Sequence, residues 1–328
     1  MRKKTFIIAE AGVNHNGKIN NAFKLVSEAK KAGADAVKFQ AYIADELCLP
    51  NASLCNYQKK TNFKSQYDLL KKYELKQKDI IKLSKFALKK KIKFLLSYFD
   101  TKSLSLIRKI KSDYIKIPSG EINNFLLLNK ISKLKKNIIL STGMSSYKEI
   151  KKAINLLKSK GLSRNKISIL YCVSSYPTKL EDFYLPEIQI FKKKFNLNIG
   201  FSDHSKGVEA AMISVALGAQ IIEKHLTLNK KDEGPDHMSS IEPQEFSYMV
   251  KSIRNVEKML SPNKKKSDIQ NKKFVRKSIV ASKEIKKGDI FSELNITTKR
   301  PNLGMNNKKI TNILGKKSKK KYSINDLI

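Results

Sequence analysis

Residues 6–39 read FIIAEAGVNHNGKINNAFKLVSEAKKAGADAVKF, an amphipathic segment between two short apolar runs. In the middle, Asn21–Ala32 places apolar residues at spacings of three and four, which predicts a helix closed by Gly33. The flanking runs, Phe6–Ala9 and Ala36–Phe39, are almost continuously apolar, as expected for parallel strands buried on both faces. Residues 6–39 therefore predict one strand–helix–strand unit of a parallel sheet.

The same alternation of strand and helix recurs along the chain. Eight such units in about 260 residues predict an α/β fold of the (β/α)₈ barrel type, which matches in count and length. A doubly wound sheet is the alternative, but it rarely needs eight equal units, and the sequence has no Gly-rich dinucleotide fingerprint. The other predicted strands are Ile92–Leu96, Tyr114–Ile117, Ile138–Leu140, Ile167–Cys172, Asn198–Phe201 and Gln220–Glu223. The other predicted helices are Lys78–Lys90, Ser103–Lys111, Phe125–Leu134, Lys148–Lys160, Leu185–Lys194, Gly207–Leu217 and Pro243–Leu260.

Composition divides the chain into three parts. Residues 261–273, SPNKKKSDIQNKK, are polar and charged, which predicts a linker after a catalytic barrel at 1–260. At 274–328, short β-branched runs separated by turn residues predict a small β-rich module that docks on a partner surface. Within the barrel, the connection from Ala41 to Gln77 is long and irregular, which predicts a lid or a subunit contact.

The net charge of +38, from 67 Lys+Arg against 29 Asp+Glu, invites a nucleic-acid interpretation. However, only six of these cations are arginine, the residue preferred for bidentate recognition of phosphates and bases. The lysines are spread over the whole chain and accompany many Ile and Asn residues, whose codons are A/T-rich. A genome-wide base bias explains the excess, and we expect no nucleic-acid partner.

Three observations point to a cytoplasmic protein. The sequence has no run of 18 apolar residues, which excludes a membrane span. The first apolar run meets Glu10 too soon for a secretory signal. Three cysteines, Cys48, Cys55 and Cys172, cannot form a full disulfide framework, which fits a reducing compartment.

Polar side chains follow nearly every predicted strand, and a barrel active site is built from these strand ends. Lys38 and Lys116 end strands two and four, where a lysine binds an anion or forms a Schiff base. Glu10 and Glu121 are acids of the same mouth, and pairing with the lysines is plausible for one of them. Hydroxyl groups that favour anion binding come from Ser97, Ser119, Ser141 and Ser202. The remaining polar groups expected in the mouth include Ser174, Tyr176, Asp203 and Lys224.

Each of the four histidines, His15, His204, His225 and His237, follows a predicted strand end. A single histidine is more often a hydrogen-bonded structural residue. His204 and His225 come from adjacent strands, however, and can converge on a shared divalent metal. With two imidazoles, the other ligands would be water, substrate oxygen or carboxylate, which favours Mn²⁺ or Mg²⁺ over a closed zinc site. Spacing alone leaves both roles open.

The chain also resembles the bacterial sialic acid synthase family, which includes the N-acetylneuraminate, legionaminic acid and pseudaminic acid synthases. The motifs that carry the resemblance are FIIAEAGVNHNG, AVKFQ, IKIPSGE, ILSTGM, GFSDHS, IIEKHLTL and GPDHMSSIEP. The tail FVRKSIVASKEIKKGDIFSELNITTKRP resembles the family's C-terminal antifreeze-like (SAF) domain. The resemblance implies a (β/α)₈ barrel followed by this domain, in a domain-swapped homodimer. It also implies condensation of phosphoenolpyruvate with N-acetylmannosamine and water, giving a nine-carbon 2-keto sugar acid and phosphate with C–O cleavage.

The resemblance further implies roles for individual barrel residues. His204 and His225 would bind the divalent metal, most simply Mn²⁺, with Mg²⁺ as the alternative. Glu121 would activate the water that adds at C2, and Glu10 and Lys116 would also be catalytic. Phosphoenolpyruvate would be held by Lys38, Lys116, Ser97, Ser119, Ser141, Ser174 and Ser202.

The resemblance also implies how the sugar is bound. Glu10, Tyr176 and Asp236 match positions that grip the sugar hydroxyls. Phe274 and Arg300 match second-domain residues that reach the active site of the partner subunit, with Arg300 directed at the N-acetyl group. In this subunit arrangement, each complete active site needs two copies of the chain.

Several alternatives stay open from the sequence. The closest is a legionaminic acid synthase that uses 2,4-diacetamido-2,4,6-trideoxymannose, because the branches differ only by a hydroxyl or an acetamido group at the far end of the sugar. More distant alternatives are a Schiff-base aldolase acting on pyruvate through Lys38 or Lys116, and a non-enzymatic nucleic-acid binder. Tyr98 stands where the family usually has a proline, which predicts an altered loop after strand three.

Overall fold

The computed structural model describes residues 4–55, 58–261, 266–305 and 309–328. They form two compact units, Met1–Ser261 and Pro262–Ile328. Within the first unit, eight parallel strands form a closed barrel in sequence order, with the first strand paired to the eighth. The predicted (β/α)₈ barrel is therefore confirmed. The strands are β1 (Phe6–Gly12), β2 (Ala36–Ala41), β3 (Lys93–Tyr98), β4 (Tyr114–Ile117), β5 (Asn137–Ser141), β6 (Ile167–Tyr171), β7 (Asn198–Asp203) and β8 (Ile221–His225).

Helices alternate with the strands, and their apolar faces pack on the barrel. In the helix Ile19–Lys31, the buried residues Ala22, Leu25, Val26 and Ala29 follow the spacing of three and four that the sequence predicts. Among the helices described, none is long and apolar enough to cross a membrane. The α-helices of this unit are α1 (Ile19–Lys31), α2 (Ala44–Leu47), α3 (Gln66–Tyr73), α4 (Gln77–Lys89), α5 (Phe125–Ser132), α6 (Tyr147–Ser159), α7 (Glu187–Phe195), α8 (Glu209–Ala216) and α9 (Pro243–Leu260).

One predicted helix differs in type. The helix predicted near Ser103–Lys111 is present as a shorter 3₁₀ helix, Ser103–Arg108, between β3 and β4. Asp100 accepts hydrogen bonds from the backbone N–H and the hydroxyl of Ser103, at 2.7 and 2.6 Å. These bonds begin the turn directly after the strand, and the tighter 3₁₀ geometry suits so short a connection.

The connection after β2 contains more regular structure than the sequence indicates. It includes α2 and α3, and the Ser65 hydroxyl caps α3 by accepting a hydrogen bond from the Asp68 N–H. Leu69 and Tyr73 of α3 pack on Val13 in the loop after β1. Tyr98, at the end of β3, pairs with Ala41 in the strand ladder, and its ring is buried in the main core. The proposed role of the connection as a lid or subunit contact stays a prediction.

The barrel interior changes from apolar to polar along the strands. Alternate residues of a strand face the same side, and one inward-facing layer is purely apolar. This layer consists of Ile8, Ala36, Leu95, Ile139, Leu170 and Ile221. Two residues further along the strands, or just beyond the strand end, lies a buried polar ring. The polar ring consists of Glu10, Lys38, Ser97, Lys116, Ser141, Cys172, Ser202 and Glu223.

The second unit is a small module with its own apolar core. Strands β9 (Ser278–Ala281) and β10 (Ile296–Lys299) pair antiparallel, and a short helix, Ile310–Ile313, follows. The small β-rich module predicted at 274–328 is therefore present, although its regular strands are few among the described residues. The core residues are Ile279, Ala281, Ile285, Phe291 and Ile296.

The segment predicted as a linker, 261–273, is not wholly irregular. A helix, α10, occupies Lys266–Val275, while residues 262–265 lie outside the described part of the chain. Asp268 in the first turn and Lys272 and Lys273 in the last turn complement the helix dipole. This helix was not predicted, because helices were recognised from the sequence by an apolar face and the segment has few apolar residues.

Candidate active site

Lys38 contacts three other members of the polar ring. Its Nζ lies 2.8 Å from Glu10 Oε2 and 3.5 Å from Glu223 Oε2, and it donates a hydrogen bond to Ser97 Oγ at 3.3 Å. Strand pairing explains the first contact, because Glu10 of β1 lies opposite Lys38 of β2. The side chains of Lys38, Glu10 and Glu223 are at most 4% exposed. Burial makes these charges dependent on one another, since water does not screen them.

Glu223 joins Lys38 to a second lysine. Lys116 Nζ lies 3.2 Å from Glu223 Oε1 and donates to Ser141 Oγ at 2.8 Å. Ser202 Oγ donates to the same Glu223 oxygen at 3.0 Å. The sequence prediction missed Glu223 because it assigned Glu223 to the apolar strand Gln220–Glu223 and took only Lys224 and His225, which follow it, as polar groups of the site. Strand alternation is the signal that finds it, since Ile221, Glu223 and His225 share one face.

The pKa shifts of these four groups follow from burial and pairing. Burial opposes ionisation of Glu223, but Lys116 and Lys38 outweigh it and lower the pKa of Glu223 to about 2. Burial raises the pKa of Glu10 to about 7, against the opposing charge of Lys38 and with the repulsion of the Glu223 charge adding to the rise. Burial lowers the pKa of Lys116, whereas Glu10 and Glu223 overcome burial and raise the pKa of Lys38. Two lysines therefore share one firmly ionised carboxylate. This leaves an excess of positive charge in the polar ring, which suits the binding of an anion.

Hydroxyl and thiol groups converge on the backbone of Gly143, in the loop after β5. Its N–H donates a hydrogen bond to Ser119 Oγ at 3.0 Å. A Cβ at this position would lie 2.3 Å from Ser174 Oγ, 3.0 Å from Ser119 Oγ and 3.1 Å from Cys172 Sγ. The predicted residues Ser119 and Ser174 thus meet, and only glycine leaves room for them. Cys172, 3.3 Å from Ser119 Oγ, belongs to the same group and was not predicted.

His204 and His225 converge as predicted from their adjacent strands. Their ring centroids are 5.6 Å apart, and Tyr176 lies 4.2 Å from the His204 ring and 5.8 Å from the His225 ring. His204 Nδ1 lies 2.6 Å from the carbonyl oxygen of Val173, so this nitrogen donates and Nε2 keeps its lone pair. Burial lowers the pKa of His204 to about 4 and that of His225 well below its usual value. Both imidazoles are therefore neutral near pH 7.

Two of the groups predicted to bind the sugar, Glu10 and Asp236, lie beside Gly12 at the end of β1. Gly12 has a positive φ of 50°, and a Cβ there would lie 3.2 Å from Glu10 Oε1 and 3.3 Å from Asp236 Oδ2. Gln40 Nε2, at 3.6 Å from that point, is a third polar group that the prediction missed, although it shares the face of Lys38 on β2. Asp236 Oδ2 lies 3.8 Å from His225 Nδ1. Burial raises the pKa of Asp236 to about 6, against the opposing charge of Lys38.

Glu121 lies in a 3₁₀ turn, Ser119–Glu121, that follows β4. Its Oε2 accepts a hydrogen bond from Asn124 Nδ2 at 2.6 Å. Partial burial raises its pKa, which the Asn124 bond opposes and the Asp100 charge reinforces. Of the two predicted acids, Glu10 is therefore the one that pairs with a lysine, and Glu121 is the more accessible carboxyl group.

Two of the residues expected in the mouth lie outside it. Asp203 and Lys224 face the helices, because each directly adjoins an inward-facing residue and adjacent strand residues point in opposite directions. Their side chains form a fully buried ion pair of 2.9 Å. This arrangement corrects the expectation that all the polar residues at these two strand ends enter the active site.

The other two histidines have structural partners. His15 Nδ1 accepts a hydrogen bond from the Gly17 N–H at 3.0 Å. His237 contacts Thr227 Oγ1 through Nδ1 at 2.7 Å and Asn16 Oδ1 through Nε2 at 2.9 Å. His237 therefore connects the loop after β1 to the segment after β8. Of the two roles left open by the sequence, these contacts favour the structural one for His15 and His237.

Comparison with known proteins assigns this barrel to a family. Residues 25–265 match the NeuB family, and residues 276–328 match the SAF domain. The chain belongs to the NeuB family. It is 45% identical to the N,N'-diacetyllegionaminic acid synthase of Campylobacter jejuni over 99% of both chains. It is 38% identical to the enzyme of the same name from Legionella pneumophila, over 94% of this chain and 89% of that protein. The crystal structure of N-acetylneuraminic acid synthetase from Leptospira borgpetersenii, a complex with citrate, superposes with a TM-score of 0.71 at 35% identity, covering 82% of this chain and 92% of that one.

The predicted metal ligands of this NeuB-family chain can be tested for their fit to a cation. Across the described ranges, no group of three or more His, Cys, Asp or Glu side chains is arranged to hold a metal ion. The two neutral imidazoles of His204 and His225 nevertheless suit a divalent cation, since ligation requires the unprotonated ring. His225 Nδ1 is buried and has no hydrogen-bond partner among the described residues. These residues fit a two-histidine site whose other ligands come from water or substrate.

The predicted second-domain residues lie in the second unit, Pro262–Ile328. Phe274, in α10, is 67% exposed, and Arg300, directly after β10, is also exposed. Both side chains are therefore accessible to another molecule. Their role in completing an active site stays a prediction.

Proposed function

We propose that this NeuB-family chain is a phosphoenolpyruvate-dependent synthase of the legionaminic branch. Its sugar substrate would be 2,4-diacetamido-2,4,6-trideoxymannose, and its products a nine-carbon 2-keto sugar acid and phosphate. The observation that carries this proposal is the 45% identity to a legionaminic acid synthase along 99% of both chains. The N-acetylneuraminate synthase relative is more distant, at 35% identity. N-acetylmannosamine, the sugar expected first from the sequence, is therefore the less well supported substrate.

The polar ring supports phosphoenolpyruvate as the second substrate. This molecule carries a phosphate and a carboxylate on three carbons, so it needs cations and several donors within a small volume. Lys38 and Lys116 supply the cations, and Glu223 holds both ammonium groups at one level of the barrel. The hydroxyl groups proposed to bind the two anionic groups are those of Ser97, Ser119, Ser141, Ser174 and Ser202.

The proposed reaction forms one C–C bond and breaks one C–O bond. C3 of phosphoenolpyruvate attacks the aldehyde carbon of the open-chain sugar, and water adds at C2. The bond between C2 and the bridging oxygen then breaks, so that this oxygen leaves with the phosphate and a keto group remains. Glu121 is proposed to accept the proton of the attacking water, since partial burial raises its pKa towards the range of a general base.

The sugar would be held beside the histidines. Glu10, Tyr176 and Asp236 are proposed to bind its hydroxyl groups. Glu10 and Asp236 both border Gly12, which supports a common role. A divalent cation bound by His204 and His225, Mn²⁺ or Mg²⁺, would supply a Lewis acid for the aldehyde oxygen.

We also propose a cytoplasmic, domain-swapped homodimer. In it, Phe274 and Arg300 of one subunit would reach the active site of the partner subunit, with Arg300 near an acetamido group. The exposure of both residues supports this arrangement. Light scattering measures the mass of the particle, and a monomer that is fully active would refute the arrangement.

The test of the proposed function is phosphate release from phosphoenolpyruvate by the full-length protein with Mn²⁺. Release should require the sugar and be faster with the diacetamido sugar than with N-acetylmannosamine. Faster release with N-acetylmannosamine would move the chain to the sialic branch, and no release with either sugar would refute the proposal. Borohydride with pyruvate is the control for the aldolase alternative, because a covalent adduct on Lys38 or Lys116 would favour a Schiff base instead.

A further inference from the structure

A buried network lies behind the two histidines, on the face of β7 and β8 that packs against the helices. Asp203 and Lys224 are register partners on these strands, and Lys224 Nζ lies 2.9 Å from Asp203 Oδ2. Lys224 Nζ also donates to the carbonyl and hydroxyl oxygens of Ser205, at 2.6 and 3.2 Å. Asp203 Oδ1 accepts from the N–H and the hydroxyl of Ser205, at 2.8 and 2.7 Å. We call these three residues the Asp203–Ser205–Lys224 network.

The network holds the chain directly beside both histidines. Asp203 and Ser205 are the immediate neighbours of His204, and Lys224 immediately precedes His225. Because adjacent strand residues face opposite sides, contacts on the helix side fix the backbone from which each imidazole projects inward. A small rotation of either strand end would change the 5.6 Å separation of the two rings.

Stability alone does not account for such a network. Replacing a buried ion pair by apolar residues of similar volume is often neutral or stabilising, because the desolvation of two charges offsets their attraction. What the buried charge pair and its hydrogen bonds to Ser205 supply is a fixed geometry. Here the fixed geometry applies next to His204 and His225, whose relative position decides whether they can share a metal ion.

We propose that Asp203, Ser205 and Lys224 are positioning residues that hold His204 and His225 at the separation needed to bind one divalent cation. This inference rests on the proposed metal at the two histidines. Groups that orient metal ligands from behind typically change metal affinity 10- to 100-fold when they are removed. Loss of the network should therefore weaken metal binding without removing either imidazole.

The experiment measures Mn²⁺ binding to the full-length protein by electron paramagnetic resonance of the free ion. In the double variant Asp203→Leu/Lys224→Met, which removes both charges together, the Kd for Mn²⁺ should rise about 10- to 100-fold. Ser205→Ala keeps the charge pair and should raise the Kd in the same direction, so it tests the inference even if the double variant does not fold. His225→Ala supplies the reference for lost binding.

Arg254→Met is the matched control. Arg254 also links separate parts of the barrel unit through an ion pair of 2.8 Å to Asp35, and it pairs with Glu257 of its own helix at 2.9 Å, but it neighbours neither histidine. Its Kd for Mn²⁺ should stay within about twofold of the wild-type value, a change of about 0.4 kcal/mol. An equal loss of affinity in Arg254→Met would overturn the inference, because general loosening would then explain both results.

The two proposals fail in different ways. If the wild-type protein does not bind Mn²⁺ at all, the metal proposal itself is refuted, and the inference falls with it. If the wild-type protein and His225→Ala behave as expected while both network variants keep the wild-type Kd, only the positioning role is refuted.

Discussion

Replacing Glu223 by glutamine tests the electrostatic core of the site. The substitution keeps the shape of the side chain but removes the charge that faces Lys38 and Lys116 at 3.5 and 3.2 Å. Pairing lowers the pKa of Glu223 from 4.5 to about 2, and this depressed pKa contributes stability above pH 4.5 that is lost as the pH falls through 2. At 1.36 kcal/mol per pKa unit, the contribution at neutral pH is about 3 kcal/mol. For a domain of this size, the thermal midpoint of Glu223→Gln should fall by about 6–12 °C.

The assay is thermal unfolding followed by circular dichroism, with and without phosphoenolpyruvate. The anion should raise the midpoint of the variant more than that of the wild type, because it supplies the negative charge that Glu223 no longer provides. Glu245→Gln is the matched control, since Glu245 pairs with Lys230 at the surface and is 44% exposed. Such a surface pair contributes at most about 1 kcal/mol. An unchanged midpoint in Glu223→Gln, or an equal gain from the ligand in variant and wild type, would refute the reasoning.

Three further predictions follow from the same geometry. Gly143→Ala brings a methyl group to 2.3 Å from Ser174 Oγ, so the KM for phosphoenolpyruvate should rise at least about tenfold. The circular dichroism spectrum should stay unchanged, and an unaltered KM would contradict the proposal that Ser174 binds phosphoenolpyruvate. The pKa of Glu10 is raised from 4.5 to about 7, so its contribution to stability is present below 4.5 and lost as the pH rises through 7. The midpoint of Glu10→Gln should therefore rise relative to the wild type between about pH 5 and about pH 8, and a constant difference would count against it. Glu121→Gln should lower kcat by about 10²- to 10⁴-fold while phosphoenolpyruvate still binds, as measured by calorimetry; full turnover would exclude Glu121 as the base.

The sequence predicts the barrel well because buried parallel strands are continuous apolar runs that stand out from the amphipathic helices. The same property hides Glu223, which lies inside the run IIEKH and looks like part of the strand. Strand alternation explains both wrong predictions at β7 and β8, which are the omission of Glu223 from the site and the inclusion of Asp203 and Lys224. It turns Glu223 inward, next to the lysines, and turns Lys224 outward, towards Asp203.

Other features depend on contacts that no local pattern contains. The crowding at Gly143 involves side chains from the two loops that follow β4 and β6, and the grouping of Gln40 with Gly12 and Asp236 depends on three separate parts of the chain. Helix α10 lacks an apolar face, so the periodicity that identifies the other helices does not apply to it. Residues that converge from distant strands are predictable only as far as the strand order is known.

The most direct test of the proposed reaction uses phosphoenolpyruvate labelled with ¹⁸O in the bridging oxygen, together with the diacetamido sugar and Mn²⁺. Mass spectrometry then follows the label into the products. C–O cleavage predicts that the label appears in inorganic phosphate and that the sugar acid takes its C2 oxygen from water. Label retained in the sugar acid, or no phosphate formed, would contradict the account.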